Sequence, residues 1–248
     1  MNDKYPAGTV RVTADNFVRA VTDITFAHIV REAGMATFNH LRNAPRIDNQ
    51  PVIRMNQDTL YSMAILDLST PAVLHLPDTQ GRYMSAQIIS QDHHCIDFLH
   101  EPGQYEITEE MVGTRYAAIN VRLFANVRNA DDLKAVHKLQ DQFRIEQAST
   151  GSLDVPDWNY KSFEAVRNDI QPLKRHLKGP GGMFGRPEEV DPIVHLIGAA
   201  IGWGGLPQSE SIYLTYNPEQ GNEDKLHSLT VRDVPTDAFW SGTMYDKL

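Results

Sequence analysis

The segment YAAINVRLF, residues 116–124, has the clearest strand pattern in this chain. If the segment is extended, the odd-numbered residues from 117 to 123 form one apolar face, and Asn120 and Arg122 lie on the other. A sheet built around this strand would therefore have one face buried in an apolar core and one face carrying polar groups.

Further strands are predicted before this segment, at residues 52–58, 59–68, 72–76, 82–90, 95–99 and 104–107. Turn-forming residues separate them, as in Ser69-Thr70-Pro71, Pro77-Asp78 and Glu101-Pro102-Gly103. Short strands with frequent turns are typical of an antiparallel β-sandwich.

Helical periodicity flanks this β region on both sides. Helices are predicted at residues 14–41, 130–147, 162–177, where Pro172 should kink or end the helix, and 191–201. Strands are predicted again at SIYLTY, HSLTV and AFWSGTMY, residues 211–216, 227–231 and 238–245. The predicted organisation is an N-terminal helical segment at 1–44, a β-sandwich at 45–128, a helical connection at 129–202 and the start of a second β domain at 203–248.

The net charge of −9 argues against nucleic acid or an anionic membrane surface as a partner. The single cysteine, Cys95, excludes an internal disulfide, and no apolar run approaches the length of a membrane span. The N-terminus lacks the apolar region of a signal peptide, which predicts a cytoplasmic protein, or a periplasmic or secreted one if a signal peptide has been removed.

Several separated segments resemble the DUF1254 family and the DUF1214 region that usually follows it. NQDTLYSMAILDLSTPAVLHLPD, GRYMSAQII and EPGQYEITEEMVGTRYAAINVR are similar to the DUF1254 core. GWGGLPQSESIYL and VPTDAFWSGTMYD are similar to the start of the DUF1214 region. The segments occur in the family's order and cover most of the chain from about residue 45.

This resemblance implies a mainly β protein with helices. It implies an Ig-like DUF1254 sandwich and a jelly-roll-like DUF1214 part, with helical segments between them. In the family the DUF1214 part continues through more strands than are present before Leu248. The sequence is thus expected to be a fragment, or another chain is expected to supply the missing strands. A homo-oligomer is one such arrangement. The resemblance implies no activity, because the family has none established.

A row of polar residues precedes the strand at 59–68. If residues 52–59 are extended, Arg54, Asn56 and Asp58 share one face. One hypothesis is a pocket in which Asp58 acts as general base or ligand anchor and Arg54 clamps an anion. The other is a buried network that fixes strand register. Either version could include Thr59, Tyr61, Arg82 and Arg122, the last as a partner of Asp58.

The segment QDHHC, residues 91–95, contains the side-chain types that bind metals. Adjacent residues on a strand point to opposite faces, so His93 and His94 could share an ion in a loop but not in a strand. His75, His100 and His195 could complete such a site only through the fold. A nucleophilic pair of Cys95 with His94 is a further hypothesis, against hydrogen-bonded histidines and a small buried cysteine.

Trp203 and Trp240 each lie beside glycine and are candidates to line a cleft, or are simply core residues. Three functions stay open at this point. The first is binding of a small molecule or carbohydrate in a cleft between β domains. The second is hydrolysis assisted by a divalent metal, with Asp58 and His93 or His94. The third is assembly through an open C-terminal sheet edge. The sequence does not decide whether the protein is an enzyme.

Overall fold

The computed structural model describes residues 6–44, 56–179, 181–214 and 228–243. Its helices are α1 (Phe17–Ala33), α2 (Glu109–Val112), α3 (Ala130–Gln140), α4 (Tyr160–Ile170) and α5 (Pro192–Ile201), with a 3-10 helix at Gln171–His176. Its strands are β1 (Asn39–His40), β2 (Thr59–Asp67), β3 (Ala72–Leu76), β4 (Met84–Ser90), β5 (Cys95–Leu99), β6 (Gly103–Ile107), β7 (Tyr116–Phe124) and β8 (Arg144–Gln147).

Strand β7, the segment YAAINVRLF, lies at the centre of the larger sheet. This antiparallel sheet has five strands in the order β1-β2-β7-β4-β5. Every residue of β7 except Phe124 is buried, including the polar Asn120 and Arg122. Both faces of the central strand are therefore covered, and neither faces open solvent.

A second antiparallel sheet, ordered β6-β3-β8, packs against the first. One hydrophobic cluster joins the two sheets and includes Leu74 of β3, Ile107 of β6, and Ile119 and Val121 of β7, all with zero exposure. Burial of such side chains stabilises the fold by about 2 kcal/mol each. The mainly β, sandwich-like class with helices is confirmed.

Helix α1 covers part of the opposite face of the five-stranded sheet. Phe26 and Ile29 of the helix pack on Ile65, Ile89 and Ala118, which share one row across β2, β4 and β7. On its other side α1 packs with α4 and α5, where Phe17 and Phe163 stack with ring centroids 5.4 Å apart. The apolar row lies at one end of this face, and polar rows lie beyond it.

The helix bounds differ from those predicted, for local reasons. The first helix begins at Phe17 and ends at Ala33, because the next residue, Gly34, has a φ of 89° that stops a helix and suits glycine. The helix predicted at 130–147 ends at Gln140, and residues 144–147 instead pair with β3 as β8. As predicted, the α-helix α4 ends next to Pro172, at Ile170. The chain then continues as the 3-10 helix Gln171–His176.

The chain divides into two compact units, Met1–Ser211 and Ile212–Leu248. The described residues of the second unit, 212–214 and 228–243, contain no strand, so the strand predictions there are wrong for these residues. Several large apolar side chains are exposed in this unit, Leu214 at 90%. The four-part division at residues 44, 128 and 202 stays a prediction.

None of the described helices has the length and apolar character needed to span a bilayer.

Candidate functional site

Two polar rows lie on the α1-facing side of the five-stranded sheet. Strand alternation turns Ser85 and Gln87 of β4 toward this side, and the same holds for Asn120 and Arg122 of β7. The register pairs Ser85 with Arg122 and Gln87 with Asn120. All four side chains are buried, with exposures between 0% and 6%. Buried polar groups on a sheet face need hydrogen-bond partners.

The hydrogen bonds fix how the two amide side chains are oriented. The carbonyl oxygen of Gly205 can only accept, so the atom of Gln87 that lies 3.1 Å from it must be the donating Nε2. Gln87 Oε1 then faces Asn120 and accepts from its Nδ2 at 3.4 Å. Asn120 Oδ1 therefore points away from Gln87, and it is a buried acceptor without a partner in the described part of the chain.

A second buried oxygen on the same sheet face also lacks a partner among the described residues. Ser85 Oγ accepts and donates no hydrogen bond among the described residues, and Thr59 Oγ1, at the start of β2 on the same face, is in the same condition. Arg122 lies between Ser85 and Tyr61 in the register, with its guanidinium carbon 5.7 Å from the centre of the Tyr61 ring. We call Ser85, Gln87, Asn120 and Arg122 the polar floor.

The loop after α5, Gly202 to Gly205, borders the polar floor. Trp203 stacks on His93 with ring centroids 5.7 Å apart and donates from Nε1 to Thr22 Oγ1 of α1 at 3.2 Å. Gly204 donates its amide hydrogen to His93 Nε2 at 2.8 Å. A Cβ on Gly205 would lie 2.2 Å from the Phe184 ring, so this position requires glycine. The GWGG sequence is thus a close-fitting loop joined to the sheet through Gln87 and to the β4–β5 turn through His93.

Histidine 93 lies in the tight turn between β4 and β5 and is completely enclosed. Its φ of 64° is left-handed, which a histidine in a turn tolerates. Because Nε2 accepts from Gly204, the neutral ring carries its proton on Nδ1, and that buried N–H has no partner in the described residues. Burial, together with His195 and His94, lowers the pKa of His93 to about 3.

Helix α5 brings His195 against both histidines of the turn. The His195 ring centroid lies 5.4 Å from that of His93 and 5.0 Å from that of His94. Both of its nitrogens face backbone carbonyl oxygens, Nδ1 that of Met183 at 2.9 Å and Nε2 that of Asp92 at 3.2 Å. Burial is also the main cause that lowers the pKa of His94.

Asp23 of α1 holds the same turn from the helix side. This buried carboxylate accepts from Gln91 Nε2 at 2.6 Å and from Trp158 Nε1 at 2.8 Å. Burial raises the pKa of Asp23, although these two hydrogen bonds oppose the effect. The turn that presents His93 is therefore held by α1, α5 and the GWGG loop together.

The strands and their polar floor lie in the part of the chain that has recognised relatives. Residues 35–147 match the DUF1254 family. Its description is "protein of unknown function", and the matched residues contain all eight strands of the part of the chain that the structure describes. No curated protein matches the sequence. The crystal structure of the VPA0106 protein from Vibrio parahaemolyticus, a structural genomics target, is similar with a TM-score of 0.53 and 14% identity, over 79% of this chain and 69% of that chain. At 14% identity this similarity shows a shared fold and nothing about function.

The histidines of the DUF1254 segment do not form a metal centre with one another. Among the described residues no group of three or more His, Cys, Asp or Glu side chains is arranged to hold a metal ion. His93 offers no lone pair to a metal in this arrangement, because Nε2 already accepts and Nδ1 is protonated. His75 and His100 lie elsewhere and pair with Glu146 and Glu210.

The predicted row of polar residues before β2 is not an extended strand in the described residues. Arg54 lies outside the described residues. Asn56 and Asp58 form a bend in which Asn56 Oδ1 accepts from the Asp58 amide at 2.6 Å, so the prediction that they extend a strand is wrong. Their side chains therefore do not continue a row of β2 across the sheet.

The remaining predicted site residues lie in different places. Arg82 donates to the Phe124 carbonyl oxygen at 2.9 Å and pairs with Asp132, so it fastens α3 to the end of β7. Trp240 is 60% exposed, in the second unit. Among the predicted candidates, Thr59, Tyr61 and Arg122 lie on the face that carries the polar floor, and Trp203 and His93 lie at the loop that borders it.

Cys95 does not have the surroundings of a nucleophile. Its sulfur is buried, lies 3.0 Å from Gln87 Nε2 and donates to the Gly205 carbonyl oxygen at 3.5 Å. Burial raises the pKa of the thiol to about 11, so it stays protonated at neutral pH. A thiolate is the reactive form, so the hypothesis of a Cys95–His94 catalytic pair is not supported.

Proposed function

We propose that this protein binds a small polar molecule at the polar floor, with Ser85 and Asn120 as its first contacts. The observation that carries the proposal is the pair of buried oxygens, Ser85 Oγ and Asn120 Oδ1, that lack partners in the described part of the chain. Native proteins leave few buried polar atoms unpaired, because each one costs roughly 1–3 kcal/mol. Two of them on neighbouring strands of one sheet face support a binding role.

The surroundings of these two oxygens suit a ligand. Gln87 donates to the Gly205 carbonyl oxygen, so its orientation is fixed before anything binds. Arg122 places a positive charge on the same sheet face, with its guanidinium carbon 5.7 Å from the centre of the half-buried Tyr61 ring. The competing explanation is an ordered water, which commonly satisfies such groups. The similarity of residues from 202 onward to the DUF1214 region, and the hydrolase and assembly hypotheses, stay predictions.

Ligand-observed NMR against a library of small polar fragments tests the proposal. Fragments that bind the wild type are expected to lose their signal with the double variant Ser85→Ala/Asn120→Leu. The matched control is Ser62→Ala, since Ser62 is a buried serine on the opposite face of the same sheet. The proposal fails if no fragment distinguishes the wild type from the double variant.

Stability measurements on the two serines give an independent prediction. Ser62 Oγ is paired with His40 Nδ1 at 2.8 Å and accepts from Gln140 Nε2 at 3.1 Å, so Ser62→Ala should lower the free energy of unfolding by about 1–2 kcal/mol. Ser85→Ala removes an oxygen without such partners and should change it by less than about 0.5 kcal/mol. Urea unfolding followed by circular dichroism measures both. An equal loss in the two variants would mean that Ser85 is a structural residue with partners of its own.

A further inference from the structure

We infer that the GWGG loop, Gly202–Gly205, is a cover over the polar floor that is released when His93 takes up a proton. Acidic pH then opens this part of the sheet face to solvent while the sandwich stays folded. The release is a property of the loop and holds whether or not a molecule binds at the floor, so it is tested apart from the proposed function.

The backbone of the GWGG loop lies directly over the polar floor. A Cβ added to Gly204 would lie 3.9 Å from Asn120 Nδ2 and 3.9 Å from Ile89 Cδ1. The next residue, Gly205, accepts from Gln87 through its carbonyl oxygen. Asn120 and Gln87 are thus buried beneath the loop, and lifting the loop exposes them to solvent.

Three hydrogen bonds among the described residues fasten the loop to β4, β5 and the turn between them. Gly204 donates to His93 Nε2 at 2.8 Å. The Gly205 carbonyl oxygen accepts from Gln87 Nε2 at 3.1 Å and from the Cys95 thiol at 3.5 Å. An amide does not titrate, and burial raises the pKa of the Cys95 thiol to about 11. In the pH range where histidines titrate, the bond to His93 is therefore the one of the three that a proton can break.

A proton taken up by His93 is incompatible with the closed loop. Nε2 uses its lone pair to accept the N–H of Gly204, and Nδ1 already carries the ring hydrogen. A further proton must go on Nε2, where two N–H groups would face each other across 2.8 Å. The ring is held in this orientation by stacking on Trp203 and by an edge-on contact with Phe184 at 5.8 Å between centroids. The cationic ring thus requires the loop to move.

The closed loop keeps His93 in its neutral form. His195 of α5, with its ring centroid 5.4 Å away, and His94 of the same turn act together with burial to lower the pKa of His93 to about 3. The rings of Trp203 and Phe184 are uncharged. The carboxylates of the neighbouring elements act on other groups: Asp92 on Arg19 and His94, Asp23 on Gln91, Glu188 on His94, and Glu189 and Glu210 on Cys95.

Release of the loop is coupled to proton uptake in a defined pH range. In the open state His93 titrates like an exposed histidine, with a pKa near 6.5, whereas in the closed state its pKa is about 3. Between these two values only the open state binds the proton, so opening becomes more favourable as the pH falls. The open population should rise about tenfold between pH 7.5 and pH 5.5.

Hydrogen exchange of the backbone amides, followed by mass spectrometry on the full chain, tests this coupling. Rates at pH 7.5 and pH 5.5 are divided by the intrinsic amide rate at each pH, and the GWGG loop is compared with β7. The corrected rate of the loop is expected to exceed that of β7 at both pH values and to rise about tenfold at pH 5.5. Low concentrations of urea should not speed exchange of the loop, because local opening exposes little surface.

Two variants separate His93 from the other histidines. His93→Asn tolerates the left-handed backbone but does not titrate. Its loop should exchange faster than that of the wild type at pH 7.5, because Gly204 loses its acceptor, and should change by no more than about threefold with pH. His75→Asn is the matched control, since His75 pairs with Glu146 in the other sheet, and it should keep the tenfold rise.

The possible results either support or overturn the acid-released cover. A loop that exchanges as slowly as β7 at both pH values is exposed only by global unfolding and is not a separate cover. A tenfold rise that persists in His93→Asn overturns the role of His93. If His93→Asn does not fold, the wild-type profile decides, and a corrected loop rate that is flat between pH 7.5 and pH 5.5 overturns the inference. None of these results depends on a ligand, so the fragment screen decides the proposed function independently.

Discussion

Acidification is expected to destabilise this protein through His93, by about 2 kcal/mol between pH 7.5 and pH 5. Enclosure lowers the pKa of His93 to about 3, whereas in the unfolded chain the pKa of this histidine lies near its ordinary value of 6.5. Between these two values the unfolded state binds more protons than the folded state, so the stability contribution is complete above pH 6.5 and is lost as the pH falls toward 3. Over that whole window the loss is on the order of 4 kcal/mol.

The substitution His93→Asn isolates this effect from the other titrating groups. Asparagine tolerates the left-handed backbone at this position and does not titrate. The variant should be less stable at pH 7.5, because Gly204 loses its acceptor, but its stability should fall less steeply with pH. Urea unfolding followed by circular dichroism, at several pH values, measures the two slopes. Groups other than His93 contribute to both proteins, so a slope identical in wild type and variant would contradict the prediction.

The strand framework was predictable from sequence because alternation and turn residues are local. The pattern of residues 116–124 correctly places Asn120 and Arg122 on the face opposite the sandwich core. Ser85 and Gln87 were missed as site residues, although they follow the same two-residue period in MSAQIIS. The spacing of two polar residues within an apolar strand was the available indication, and it pairs them with Arg122 and Asn120 across the sheet.

Other parts of the site depend on contacts that no local pattern contains. Trp203 meets His93 across 110 positions of chain, and the His195 ring reaches the turn from a different helix. The bend at Asn56–Asp58 was misjudged for a different reason. Asparagine two residues before a backbone amide commonly accepts its hydrogen bond, which forms a turn and delays the strand to Thr59.

Trp203→Ala is expected to lower the free energy of unfolding by about 3 kcal/mol. The substitution removes the stacking on His93, an edge-to-face contact with Phe26 at 6.0 Å, and the hydrogen bond to Thr22 Oγ1. These contacts join the GWGG loop to α1 and to the β4–β5 turn, so their loss should also loosen Gly205 against Gln87. Increased amide hydrogen exchange across the β4–β5 turn in the variant would report that loosening.

Trp240→Ala is the matched control, because both tryptophans are predicted from their glycine neighbours to line a cleft. Trp240 is 60% exposed, so its truncation should change stability by no more than about 0.5 kcal/mol. Trp203→Phe keeps an aromatic ring but removes the donor to Thr22, and its loss should fall between the two. Chemical denaturation of all three variants gives the order directly. Equal losses for Trp203→Ala and Trp240→Ala would contradict the assignment of Trp203 as the residue that fastens the loop beside the polar floor.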